Sequence, residues 1–255
     1  MRLSVKIGCL VLICLTISIV CTFGYMNEKK EGKAAEEVYN ELQMEKPSKS
    51  LLIESREKAL IEDSSELGIE EWFQEKKAEY PDMAGWLSCE GTPIDYPVMS
   101  ARDNEYYLNH LPNGVENRLG SLFLDRSASK DFSSPVSVIY GHMVKSGEMF
   151  GSLSGYRTQS YYEKHPEFTL ITEDGEKKIQ ILAAYLVNGE AETYPTAFAS
   201  REDWERYMKK VWNHSFIKSN TKANPDDKLV IFSTCAYDFE DARLAVLGRF
   251  VYNNK

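Results

Sequence analysis

In the stretch IFSTCAYDFEDARLAVLGRF, Cys235 closes an apolar run and Arg243 opens the next one eight residues later. A thiolate is a nucleophile, and a guanidinium beside it could favour the thiolate or hold an oxyanion developing on the group under attack. If the two runs pair as a hairpin, their backbones lie ~4.8 Å apart and the arginine reaches the sulfur's neighbourhood. Strand alternation puts Leu229, Ile231 and Ser233 on the face of Cys235. Ser233 and Thr234 are small and polar, which leaves room for a peptide. Arg249 shares the face of Arg243 but lies six residues deeper, roughly 20 Å away, and cannot serve the same end. The competing reading is an inert cysteine acting as a small buried hydrophobe.

A thiol nucleophile needs a proton-transfer partner, and the chain has four histidines. His110 lies in the turn-like YLNHLPNG, His165 precedes Pro166 in a polar loop, and His214 closes an amphipathic helix. His142 differs, because PVSVIYGH sets it just past an apolar strand, after a glycine. Cys235 and His142 thus both follow the C-terminal ends of apolar strands. They can meet only if those strands are parallel neighbours, which requires a long crossover between them. A surface-loop histidine is the plainer reading of His142 alone. Asp238, Glu240 and Asp241 lie between Cys235 and Arg243, where they solvate the loop or contact a cationic group. Asp95, Asp103 and Asp125 lack metal-loop spacing, and there is no CxxC or HExxH, so no metal or other cofactor is expected.

The elements that must carry these groups are short β-rich runs separated by turn residues: TPIDYPV, GSLFLD, PVSVIYG, EFTLIT, KKIQILAAYLV, KLVIFST and RLAVLGRFVY. Such a series, without regular helices between, predicts a mainly β barrel or sandwich. One late helix interrupts it, SREDWERYMKKVWNHS, with a capping box at Ser200 and Asp203 and an apolar stripe of Trp204, Met208, Val211 and Trp212. Before the strands, IEEWFQEKKAEYP reads as a helix packed on the domain by Trp72 and Phe73 and stopped by Pro81.

At 255 residues and 43% hydrophobic, the chain supports one sizeable domain with an appendage. The formal net charge of -9 comes without a basic block, so no nucleic-acid partner is expected. Ile7–Gly24 is uncharged and apolar, preceded by Arg2 and Lys6. As a helix it would span roughly 27 Å, close to the ~30 Å hydrocarbon core, and longer than the core of a cleavable signal peptide. It reads as an uncleaved signal-anchor. The expected organisation is a cytoplasmic tail and transmembrane anchor over 1–27, a helical stalk over 28–65 and the folded domain over 66–255. Cys9, Cys14 and Cys21 lie in the apolar segment, leaving only Cys89 and Cys235 outside it. One disulfide between those two would remove the nucleophile and leave a non-enzymatic, membrane-tethered binding module.

Four blocks, TPIDYPVMSARDNEYYLNHLPNG, LGSLFLD, VIYGHMVKSGEMFGSL and VIFSTCAYDFEDARLAVLGR, follow one another in the order found in class B sortases, which this chain resembles from about Trp86 to Arg249. The resemblance implies a sortase-type eight-stranded β-barrel with N-terminal helices and one helix before the cysteine strand. It implies a cysteine transpeptidase on the outer face of a Gram-positive cell membrane. The catalytic set would be the histidine of YGH, His142, the cysteine of STC, Cys235, and the arginine opening the last strand, Arg243. Asn104, Leu108, Tyr140, Ser233 and Thr234 would bind substrate, and NGEAETYPTAF would form one groove wall. The implied partners are the C-terminal sorting motif of an exported protein, of the Asn-Pro-x-Thr type, and an amine of the peptidoglycan precursor. A secreted cysteine endopeptidase that only hydrolyses would use the same residues.

Overall fold

The series of short β-rich runs separated by turn residues has one of its expected outcomes, a sheet that closes on itself. The structure, a computed structural model, describes residues 22, 26, 29–47, 64–189 and 194–251. The chain divides into two compact units, Met1–Glu41 and Leu42–Lys255. In the first, residues 29–41 are helical. Apart from Thr22, the Ile7–Gly24 segment lies outside the described residues, as does the stalk between 48 and 63. Among the described residues no helix is long and apolar enough to cross a membrane.

The second unit holds the strands β1 (Met83–Ser88), β2 (Asp95–Met99), β3 (Leu122–Leu124), β4 (Val136–Tyr140), β5 (Glu167–Thr172), β6 (Gly175–Asn188), β7 (Leu229–Cys235) and β8 (Ala242–Val251). They form one closed barrel in the order β1-β2-β3-β4-β7-β8-β6-β5. Closure removes the exposed edges that an open sheet must protect. Two joins, β2 with β3 and β4 with β7, are parallel, and the rest are antiparallel. The barrel is filled by aromatic rings, with Phe232 of β7 packed on Phe168 of β5 at 4.5 Å and on Phe150 at 5.8 Å between centroids.

The helix Arg201–His214 covers the outer face of β4, β6, β7 and β8. Trp204, Met208 and Val211 pack on Leu229, Ile231, Ala245 and Leu247. Ser200 accepts the Asp203 N–H at 3.2 Å as its N-cap. Trp212 corrects the expected stripe. It turns roughly 80° from Trp204 around the helix at 3.6 residues per turn, and is 45% exposed with its ring edge-on to Trp204. The helix Ser64–Glu79 buries Trp72 and Phe73, and Trp72 meets Trp86 edge-to-face at 5.2 Å.

The runs read from the sequence omit β1. Its pattern is broken by Gly85, where an added methyl would meet Leu170 at 3.0 Å and the Ile171 carbonyl at 3.2 Å. That close approach of backbones, with a register shift between Met83 and Gly85, is what the glycine permits.

Candidate active site

β7 and β8 form a hairpin in which Cys235 is directly opposite Arg243. The guanidinium Nη1 lies 3.7 Å from Sγ. Cys235 is half-buried, on the last residue of its strand, while the preceding Leu229–Thr234 are buried. Arg249 pairs with Leu229 at the other end of the hairpin and is held by Asp227 at 3.2 Å and Gln180 at 3.1 Å.

β4 and β7 are parallel with Tyr140 opposite Ser233, and the Gly141 N–H donates to the Ser233 carbonyl at 3.2 Å. His142 and Cys235 each lie two residues beyond that matched pair, so the register carries them past the same rim of the barrel on neighbouring strands. Glycine at 141 follows from packing, because an added methyl would be 2.4 Å from Leu122 and 2.7 Å from Phe150. His142 Nε2 lies 2.6 Å from the Leu108 carbonyl. A carbonyl only accepts, so Nε2 carries a proton and the second ring nitrogen is left for proton exchange.

The segment that brings Leu108 to the histidine is locally built. Asp103 Oδ1 accepts the N–H groups of Glu105 at 2.9 Å and Tyr106 at 2.8 Å, nucleating the 3₁₀ turn Tyr106–Leu108. These backbone donors hold the Asp103 carboxyl below its ordinary range. Asn104, next to it, donates to Asp125 Oδ2 at 2.8 Å and accepts the Arg126 N–H at 2.8 Å. Tyr140 donates to the same Asp125 oxygen at 3.0 Å. Burial alone would push the Asp125 carboxyl up, but the Ser127 hydroxyl and N–H, with Tyr140 and Asn104, outweigh it and the carboxyl titrates below its ordinary range. Tyr140 is shifted up, by burial and then by the Asp125 charge. Ser233 is buried, with Oγ 2.9 Å from Tyr194 OH. Thr234 points to the opposite face of β7 from Cys235, buried, with no hydrogen-bond partner for its hydroxyl. Of the expected groove wall, residues 190–193 lie outside the described residues.

A cysteine, a histidine and an arginine at one rim, on this barrel, can be set beside known proteins. No family model matches the chain. Sortase B of Listeria monocytogenes is 34% identical over 172 residues, 67% of this chain and 70% of that protein. The chain belongs to the sortase B family. A mutant form of sortase B from Clostridium perfringens superposes with a TM-score of 0.74 at 26% identity, covering 85% of this chain and 98% of that one. A sortase B complexed with triglycine gives 0.74 at 25% identity, covering 86% and 98%. This sortase is accordingly a cysteine transpeptidase.

The remaining histidines of the sortase have other partners. His110 stacks on Tyr106 at 3.9 Å, His165 Nδ1 lies 2.9 Å from the Glu90 carbonyl, and His214 Nδ1 lies 2.8 Å from the Lys210 carbonyl. Cys89 and Cys235 are both free thiols. Two residues escaped the sequence reading. Asp125, weighed there only as a metal ligand, ties Asn104 to Tyr140. Arg157, at the end of the 3₁₀ turn Gly151–Arg157, makes a two-pronged ion pair with Asp238 at 2.8 and 2.5 Å and lies over the Phe216 ring. Asp238 is therefore already paired, on the exposed face of its loop. It anchors the loop between nucleophile and arginine, and Arg157 holds its carboxyl below the ordinary range. Neither role has a local signal, because the Arg157 partner is 81 residues away.

Proposed function

We propose that this sortase cleaves a C-terminal sorting motif of an exported protein, of the Asn-Pro-x-Thr type, after the threonine, and joins it to an amine of the peptidoglycan precursor. The observation that carries the reading is the pairing of Cys235 with Arg243 beside the parallel β4–β7 join that brings His142 to the same rim. Cys235 thiolate attacks the threonine carbonyl carbon, and Arg243 stabilises the oxyanion that forms. The C–N bond breaks, and protonated His142 delivers its proton to the departing amine. A thioester to Cys235 remains. The acceptor amine attacks it, neutral His142 takes the proton, the C–S bond breaks, and the thiolate is restored with a new amide. The Leu108 carbonyl fixes the imidazole through one nitrogen while the other exchanges the proton. Asn104, Leu108, Tyr140 and Ser233 border the peptide, whereas Thr234, expected to join them, is buried on the opposite face of β7 from Cys235.

The triglycine-bound sortase B neighbour supports an amine acceptor here. Ile7–Gly24 anchors the enzyme in the cell membrane with the barrel outside, on the uncharged length of that segment. The test is mass spectrometry of Cys235 after incubation with Pro-x-Thr peptides, with and without triglycine. A peptide mass on Cys235 that triglycine discharges into a ligated product is expected. Products and rates indifferent to the amine would reduce the enzyme to a hydrolase.

A further inference from the structure

The Arg243 side chain does not reach the thiol through open space. At the end of β6, Gly189 donates its N–H to the Asp241 carbonyl at 2.8 Å, which lays its α-carbon against that side chain. A methyl group on Gly189 would stand 2.7 Å from Arg243 Nε and 3.2 Å from both Cδ and Cγ, against an optimal separation of ~3.5 Å or more. Other glycines of the barrel have different reasons. Gly120 has a φ of 58° and abuts the carbonyls of Tyr107 and Leu108. Gly141 is held by the rings and methyls packed around it. Gly189 lies outside the left-handed region, so an alanine meets no backbone strain there. Among the described glycines it alone has its missing side chain replaced by Arg243.

We propose that Gly189 is a positioning residue for acyl transfer. Its bare α-carbon is the surface on which Arg243 lies, and that surface sets where the guanidinium stands relative to Cys235 Sγ. This rests on the oxyanion role of Arg243 stated above. A side chain at 189 is relieved by moving the flexible arginine rather than backbone, so the fold is kept and the reacting geometry is lost. A displacement on the order of 1 Å costs about 10²-fold in rate. The loss falls on kcat, since Asn104, Leu108, Tyr140 and Ser233 keep their places.

The test compares the full chain with Gly189→Ala, Arg243→Ala and the double variant. One readout is the rate of peptide thioester formation on Cys235. A second, needing no peptide, is the rate of Cys235 alkylation by iodoacetamide, which reads the contact between guanidinium and sulfur and is expected to change in the same direction in Gly189→Ala and Arg243→Ala. Thermal unfolding is measured on each protein. Gly189→Ala is expected to slow thioester formation about 10²-fold, with unchanged unfolding, and to add nothing in the Arg243→Ala background. Gly189→Val, with a larger side chain, is expected to be slower still. A wild-type rate in Gly189→Ala beside a crippled Arg243→Ala overturns the proposal alone. Losses that multiply in the double variant, or a Gly189→Ala protein that unfolds early, overturn it as well. An undiminished Arg243→Ala overturns the role of the arginine itself.

Discussion

The barrel carries two free thiols at the ends of strands, and they have opposite chemistry. Cys89 directly follows β1 and is 3% exposed, with Sγ 3.6 Å from the Glu167 carbonyl and 4.0 Å from Tyr156 OH. Burial pushes this thiol up to about 11, with Glu167 and Glu90 adding to the shift. Cys235 ends β7 half-buried, with the Arg243 guanidinium 3.7 Å away. The neighbouring strand makes the difference. β5 offers Cys89 a backbone carbonyl that accepts its S–H, whereas β8 sets a guanidinium beside the Cys235 sulfur. A strand-end cysteine is therefore defined by its cross-strand partner.

The sharpest break of that comparison is removal of each sulfur in turn. Cys235→Ala should abolish thioester formation in mass spectrometry while the melting curve stays in place, because a truncated rim residue leaves little cavity. Cys89→Ala should leave turnover intact and cost stability on the order of 1 kcal/mol in denaturant titration. Next comes Arg243→Lys, which keeps the charge but not the planar fork. It should lower kcat/KM about 10²–10³-fold, the usual cost of an oxyanion donor.

The pH dependence sharpens the contrast further. At pH 8, iodoacetamide should label Cys235 and spare Cys89 until urea opens the barrel. Because the Cys89 thiol is raised in the folded state, its stabilisation is complete below the unfolded thiol range, near 9, and is lost as pH rises toward 11. Cys89→Ala should flatten that alkaline limb of the stability curve. The smallest effect concerns Asp125. Its folded carboxyl is lowered, so its contribution is present above the ordinary carboxyl range and lost as pH falls through the lower folded value. Asp125→Asn should blunt acid unfolding and raise KM for peptide more than it lowers kcat, by freeing Asn104 and Tyr140.

The strand runs were legible because they are short β-rich stretches bounded by turn residues, and the Arg201–His214 helix because its cap and most of its stripe are local. β1 was not, since Gly85 serves a backbone contact rather than a face. Cys235, His142 and Arg243 could be singled out because each lies at the end of a readable strand. The parallel β4–β7 join that unites them was visible only as a requirement. Asp125, Arg157 and Gly189 stayed hidden for one reason. Each takes its importance from a side chain far along the chain, and nothing in its own neighbours distinguishes it from a surface acid, a surface base or a turn glycine.

The parallel join has a consequence for how the enzyme comes into being. Parallel neighbours cannot be linked by a tight turn, so everything from the loop after His142 to the start of β7 is traversed before imidazole and sulfur share a rim. Such distant contacts form late and slowly. The sulfur and its guanidinium reside on the final two strands, so a chain still being completed holds a histidine with nothing to serve. An unfinished sortase cannot acylate itself.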